Sequence, residues 1–408
     1  MTRWQGDVVL VLEGLKVVDF SAYIAGPGTA GILADWGAQV IKVERPGGDA
    51  MRHVFQDLAN PLGSNPTFDI DNRGKRGVVL DITKPEGREA LAKLAAEADV
   101  FLTNVRPVSL KRYGLDDATL RAANPRLVYA VITGYGLEGP DAHLPGFDVT
   151  AFWARSGLGY MTAPKGAEPF LRTSGVGDHA TSLATVSGIL AALYERNRTG
   201  EGRLVQTSLL VSGVYLMSSD MAVQLKLGRV ASGRPRENPI NAIANYFQSS
   251  DGRWFVHNPR GASGGWEAFV QAAGRPDLIT DERFATGKAR RQNARDLMKE
   301  LDAAFAALPF DEIARRLDAA DLVWAPFQTP ADVANDPQVA AAGAFLEVDD
   351  GQGGTYRSPA APVRFPGADA THRPAAPRLG EHTRQVLAEL GYDEARIEAM
   401  IAAGAAAG

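Results

Sequence analysis

The stretch Val17–Gly31, VVDFSAYIAGPGTAG, decides how the N-terminal half of the chain is read. Gly26, Gly28 and Gly31 spell G-x-G-x-x-G. An apolar run precedes them, a helix-like run (TAGILADWGA) follows, and a second apolar run, AQVIKVE, ends on Glu44. This is the outline of a dinucleotide-binding unit, in which the first glycine directly follows the strand so that pyrophosphate meets the helix N-terminus. Here SAYIA separates Phe20 from Gly26 and moves the glycines away from the strand end. Without its context the pattern is weak. The plainer reading is a strand, a loop and a helix start, with glycine for tight packing.

Outward from this unit the same alternation repeats. LKVVDF, AQVIKVE, RGVVLDI, ADVFLTN and PRLVYAVIT are short β-branched runs bounded by turn residues. Between the third and fourth, Pro85 opens a helix that places Leu91, Leu94, Ala95 and Ala98 on one face. Alternating strands and helices predict a parallel sheet covered on both sides. From Gly134 to Gly177 the pattern gives way to Gly- and Pro-rich segments, which inside an α/β domain are usually functional or linking. A helix is expected over Asp178–Gly202, an extended linker over Gly228–Asn241, a mostly helical region after it, and one amphipathic helix at the C-terminal end.

Bulk composition narrows the function. The chain has 408 residues, 45% of them hydrophobic and 22% charged, with a net charge of −5 that argues against a nucleic-acid surface. It has no cysteine, which excludes disulfides, thiolate nucleophiles and Cys-ligated metal centres. No apolar run is long enough to span a bilayer and no secretory leader is read, so the expected location is cytoplasmic. The six histidines show no metal-ligand spacing. GASGG (Gly261–Gly265) satisfies G-x-S-x-G with Ser263 in the nucleophile place, and His372 or His382 as a conceivable base, but Pro259 and Arg260 intervene after the strand and no acid–histidine order is compelling, so a flexible glycine loop is the better reading. Asp148 follows a Pro-Gly turn and precedes an apolar run. Such an acid is either a helix cap or a carboxylate nucleophile in a partly dry pocket.

The segments GLKVVDFSAYIAGP, LADWGAQVIKVERPGGDAMR, NRGKRGVVLDI, ADVFLTNVRP, LPGFDVTAFWARSG, GILAALYERNRTGEG and PRLGEHT together resemble family III CoA-transferases, from Gly14 to Thr383. The resemblance implies an α/β fold: a large Rossmann-like domain built from both chain ends (1–224 and 326–408), a smaller central α+β domain (225–325), and an interlaced homodimer. It implies Asp148 as catalytic residue. It implies CoA contacts at Ile24, Ala25, Arg45, Leu80, Asn104, Val105, Arg106, Arg112, Thr133, Gly134 and Tyr135. Lys75 and Arg76 are further phosphate candidates on charge alone. The family often has Gln where Ile24 stands, so acyl polarisation must differ here. The related 2-methylacyl-CoA racemases carry His before the aspartate; Phe147 cannot take a proton, which favours a transferase. Asp178 matches the racemases' second acid and does not discriminate. No prosthetic group or metal is implied; the partners are acyl-CoA, as substrate, and a carboxylic acid. Gly261–Gly265 would be a lid. Phe147, Phe152 and Trp153 fit either an aryl or branched 2-hydroxy-acid pocket or a helix core.

Overall fold

The computed structural model describes residues 10–54, 65–164, 166–172, 174–228, 235–259, 265–368 and 372–408. The chain divides into two compact units. The first comprises Met1–Tyr160, Phe170–Arg229 and Ala340–Gly408, and the second Met161–Pro169 and Val230–Val339.

The first unit is organised by one sheet. Strands β1 (Lys16–Phe20), β2 (Gln39–Glu44), β3 (Arg76–Leu80), β4 (Val100–Thr103), β5 (Val128–Thr133) and β6 (Leu204–Ser208) lie in the order 3-2-1-4-5-6, every neighbouring pair parallel. That is the doubly wound order, whose switch point falls between β1 and β4. A two-residue strand, Ala406–Ala407, closes the β3 edge antiparallel. Residues alternate along the strands between two cores, as a sheet covered on both faces requires. Val18, Phe20, Phe101 and Tyr129 face a cluster with Leu91, Leu94 and Val386; Val17, Val100, Leu102 and Val128 face one with Leu33, Val186 and Ile189.

The helices follow from local sequence. In α1 (Ala25–Asp35) the glycines serve packing: a Cβ at Gly31 would lie 2.9 Å from the Asp71 carbonyl oxygen of α2 (Pro66–Asn72). Pro85 opens α3 (Pro85–Glu97), and α4 (Pro107–Arg112) and α5 (Asp117–Ala123) follow β4. After a single turn, α6 (Leu158–Met161), comes α7 (Val176–Thr199). It begins two residues earlier than expected and stops at Gly200, whose φ of +79° ends it. Helices α8 (Leu209–Leu216) and α9 (Ser218–Leu227) complete this part.

The second unit holds the antiparallel sheet of β7 (Asn245–Gln248), β8 (Trp254–His257) and β9 (Trp324–Pro326), with helices α10 (Trp266–Ala272), α11 (Gly287–Gln292), α12 (Ala294–Ala306), α13 (Phe310–Ala319) and α14 (Pro330–Asn335). Its core is aromatic, with Phe247, Phe255, Phe269 and Phe305 all fully buried. Within the expected linker, residues 229–234 lie outside the described residues, whereas Arg236 is anchored to Asp302 and the Tyr246 carbonyl. The chain passes through α15 (Pro337–Ala341) to a small sheet, β10 (Phe345–Asp349), β11 (Thr355–Pro359) and β12 (His372–Arg373). The single C-terminal helix expected from the sequence is two, α16 (Thr383–Glu389) and α17 (Glu394–Ala402). Gly391 at φ +85° interrupts it, and the Asp393 carboxylate restarts it by capping Arg396 N–H.

Candidate active site

The carboxyl ends of the parallel strands gather the loops that matter. Asp19, near the end of β1, is fully buried and pairs with Lys75 at 2.8 Å. Burial would raise the Asp19 pKa, but the ammonium charges of Lys75 and Lys42 outweigh it and hold the carboxyl below its usual range. Lys42, equally buried, donates to the Ser21 carbonyl (3.2 Å) and to Asp49 Oδ2 (3.0 Å). Asp49 Oδ1 accepts from Tyr23 N–H at 3.1 Å. Asn104, just past β4, accepts from Ala22 N–H (3.0 Å) and donates to the Ala22 carbonyl (2.7 Å). Every residue of the Ser21–Tyr23 loop is thus pinned, Ser21 from within β2, Tyr23 from the segment after β2 and Ala22 from the end of β4. The pinning is enough to hold Tyr23 at φ +65°, a left-handed conformation that costs a non-glycine residue about 1–3 kcal/mol.

Asp148 comes from the far side of this loop. Gly134, past the end of β5, and Gly146 meet backbone to backbone: a Cβ on Gly134 would stand 2.7 Å from the Gly146 Cα. Asp148 then opens a π-helical segment, Asp148–Arg155, of a kind frequent at functional sites. The acid does not cap its own helix; Thr150 and Phe147 close that end. Instead Asp148 Oδ1 accepts from Gly177 N–H in the first turn of α7, at 3.1 Å. Asp148 Oδ2 is buried with no hydrogen-bond partner. Burial raises the Asp148 pKa, opposed by the Gly177 N–H and the charge of His179. Gly177 has to be glycine, because a Cβ there would lie 2.2 Å from Asp148 Oδ1. Phe147 is exposed and packs edge-on against Tyr23, ring centroids 5.4 Å apart, whereas Phe152 and Trp153 are core.

The other residues singled out in the sequence distribute as follows. Ile24 and Ala25 lie where the β1 loop enters α1, and Ile24 also faces Gly175 at the start of α7. Arg45 follows β2, exposed, with its Nε 3.4 Å from the Gly48 carbonyl. Asn104, Val105 and Arg106 follow β4, Thr133 ends β5, and Gly134 and Tyr135 follow it. Leu80 ends β3, buried in the core and paired with Ala406 of the closing strand. Arg112, at the end of α4, lies over the Tyr113 ring, which also meets Arg88.

Lys75 and Arg76 are engaged elsewhere. The three Lys75 donors go to Asp19, the Pro27 carbonyl and Asn72, and Arg76, at the opposite end of β3, is paired with Glu389. Glu44 is buried against Arg52 and the Asp49 N–H, which leaves no ribose-binding acid. Ser263 and Gly261–Gly264 lie outside the described residues. His372 pairs with Asp349, and His382 accepts from Gly77 N–H. Among the described residues no group of three or more acids and histidines is placed to hold a metal ion, and no helix is long and apolar enough to cross a membrane.

Sequence reasoning missed two residues. His179 Nε2 lies 3.1 Å from Asp71 Oδ1, beside the Asp148–Gly177 contact. Their contact joins α2 to α7, and no local pattern in GVGDHA announces it.

The family model for CoA-transferase family III matches residues 12–383. The chain belongs to that family. Among curated members, the (R)-2-hydroxy-4-methylpentanoate CoA-transferase of Clostridioides difficile is 34% identical, across 95% of this chain and 97% of its own. The cinnamoyl-CoA:phenyllactate CoA-transferase of Clostridium sporogenes is also 34% identical, across 95% of each. Among solved structures, a CaiB/BaiF family protein from Brucella suis superposes with a TM-score of 0.84 at 33% identity, covering 93% of this chain and 99% of that one. As a family III CoA-transferase the chain is an enzyme that moves CoA between acyl-CoA and acids.

Proposed function

We propose that Asp148 carries CoA as a covalent aspartyl thioester between a donor acyl-CoA and an acceptor acid. The observation that supports this most is the carboxylate itself: Oδ1 is fixed by Gly177 N–H while Oδ2 is desolvated and unpartnered. Fixing one oxygen orients the other, and removing its water shell makes it a better nucleophile. Asp148 Oδ2 attacks the thioester carbonyl carbon of the donor, the C–S bond breaks, and CoA leaves as thiolate from a mixed anhydride. The thiolate attacks Cγ of Asp148, and the donor acid departs as carboxylate. The acceptor carboxylate then attacks the aspartyl thioester and expels the thiolate, which takes the acceptor's acyl carbon and frees Asp148. No proton is gained or lost in the cycle.

CoA would be held at the strand ends, with Ile24, Ala25, Leu80, Asn104, Val105, Thr133, Gly134 and Tyr135 offering backbone and small contacts. Arg45, Arg106 and Arg112 supply guanidinium groups suited to phosphate. The acceptor is a branched or aryl 2-hydroxy acid, a reading supported by the substrates named for both curated relatives and by the exposed Phe147–Tyr23 ring pair. The enzyme works as an interlaced homodimer, and the exposed Tyr215, Leu216, Leu225 and Leu227 of α8 and α9 supply apolar surface for it.

Intact-protein mass spectrometry after mixing with acyl-CoA tests the covalent step. A CoA adduct on the Asp148 peptide, absent in Asp148→Ala, is expected; normal acyl exchange by that variant would sink the mechanism. A donor–acceptor screen then names the acids, and sedimentation of Tyr215→Glu tests the dimer.

A further inference from the structure

Four titratable side chains meet at this site, and the transfer chemistry described above uses one of them, the attacking carboxylate. They are Asp148, Asp71 from α2, and Asp178 and His179 from α7. The Asp71 side chain is 4% exposed. Its Oδ1 faces His179 Nε2, and its Oδ2 is buried without a partner. The His179 ring turns its Cδ2 edge to α1, where a Cβ on Gly28 would lie 3.4 Å from it. That leaves Nδ1 on the opposite edge, without a hydrogen-bond partner among the described residues, on a side chain that is 44% exposed. The ring is therefore fixed along one edge and open along the other.

The charge balance of this cluster matters because the acceptor arrives as an anion. Three carboxylates surround its destination, and esterification neutralises only Asp148. Lys42 and Lys75 are committed to the buried pairs with Asp49 and Asp19. Of the groups acting on Asp148 and Asp178, His179 is the cation. We propose that His179, braced by Asp71, binds the carboxylate of the incoming acceptor acid through Nδ1–H and holds it for attack on the Asp148 thioester.

The proposal rests on the reading of Asp148 as the thioester carrier. The groups facing His179 are Asp71 from α2, Asp148 from the π-helical segment and Asp178 from its own helix; α1 contributes no charge, and Lys75 reaches the cluster through Asp71. The Asp71 hydrogen bond raises the His179 pKa above its ordinary value, with burial opposing and the Asp178 charge assisting. With Asp148 ionised, burial and then the Asp148 charge push Asp178 up to about 7; in the thioester the larger cause, burial, remains and still holds Asp178 above its ordinary value, so it repels the acceptor least at low pH. Acceptor binding therefore weakens with rising pH on two counts: His179 loses its charge and Asp178 gains one.

The test measures acceptor KM and kcat against pH, first with 2-hydroxy-4-methylpentanoate and then with the fastest acid of the screen. In the wild-type enzyme acceptor KM rises roughly tenfold or more between about pH 6 and 9, with kcat changing less. In folded His179→Gln, acceptor KM at pH 6 is raised roughly tenfold to hundredfold, the range of a lost charge-assisted hydrogen bond. In Asp71→Asn, the pH at which KM rises moves down, a displacement that a merely structural role for the pair would not produce. A wild-type enzyme that forms the Asp148 adduct but whose acceptor KM is flat with pH overturns the proposal and leaves the covalent mechanism standing. So does a His179→Gln variant with unchanged acceptor KM. A wild-type enzyme that forms no adduct overturns the mechanism itself.

Discussion

Replacing Gly177 by alanine would put a methyl carbon 2.2 Å from Asp148 Oδ1, 2.2 Å from Phe152 Cγ and 2.3 Å from Phe152 Cδ1. Ordinary contact starts at 3.4 Å, so something must retreat by about 1.2 Å. Phe152 is fully buried and closely packed, and such a core yields little. The Asp148 carboxylate, whose Oδ2 has no partner to lose, is the softer side and moves. A displacement of about 1 Å at a reacting group costs on the order of a hundredfold in rate, or roughly 2.7 kcal/mol of barrier. The backbone itself is not strained by the change, because Gly177 is helical within α7. Overpacking against Phe152 should cost about 1–3 kcal/mol of stability. Rapid-quench loading of the enzyme with CoA, read by intact mass, gives the rate, and a thermal melt shows that the variant is folded. A folded Gly177→Ala enzyme that loads at the wild-type rate would refute the claim that this contact aims the nucleophile.

Three further perturbations have defined outcomes. Asp178 is raised from 3.8 to about 7, first by burial and then by the Asp148 charge, so the folded state holds its proton more tightly than the unfolded chain. Its stabilising effect is full below about pH 3.8 and is lost as pH climbs through about 7. Asp178→Asn should flatten the fall in melting temperature between pH 5 and 8, an effect bounded at about 4 kcal/mol. Lys75→Met strands Asp19 in the core and should cost about 3–5 kcal/mol in denaturant unfolding; a variant as stable as wild type would show that the pair is dispensable. Arg45→Ala should weaken CoA binding by calorimetry roughly tenfold, while Arg76→Ala, which removes only a part-exposed pair with Glu389, should leave CoA affinity unchanged and shift stability by less than about 1 kcal/mol.

The legible parts of the sequence were those with a period. Five β-branched runs became the first five strands of the sheet, and the Leu91–Leu94 face of α3 lies in the core as its spacing required. SAYIA was recognisable as an insertion that displaced the glycines, but the reason for it was not. The loop is held by Asn104, Asp49 and Lys42 from three other places in the chain, and such long-range hydrogen bonds leave no local pattern. Charge misled for Lys75, because nothing local tells a buried ammonium with three acceptors from a solvated one. The role of Asp148 was split in the sequence between cap and nucleophile. The structure gives its Oδ1 a capping part, at the first turn of α7, a helix that begins well beyond it in the chain, and the nucleophilic part is the one we propose. His179 and Asp71 were invisible for the same reason: their contact joins α2 to α7.

The strand at Ala406–Ala407 carries a consequence for how the protein is made. It covers the outer edge of β3, and the Ala405 carbonyl also accepts from Asp81 N–H. On the ribosome, β1 to β3 emerge early, whereas the residues that shield this edge emerge hundreds of positions later. Throughout that interval the nascent chain presents a bare, apolar strand edge, which is a template for pairing with other chains. Only once Ala405–Ala407 have been made can that edge be covered. A truncation that removes Ala405–Ala407 should show itself as aggregation during expression before it shows as any change in catalysis.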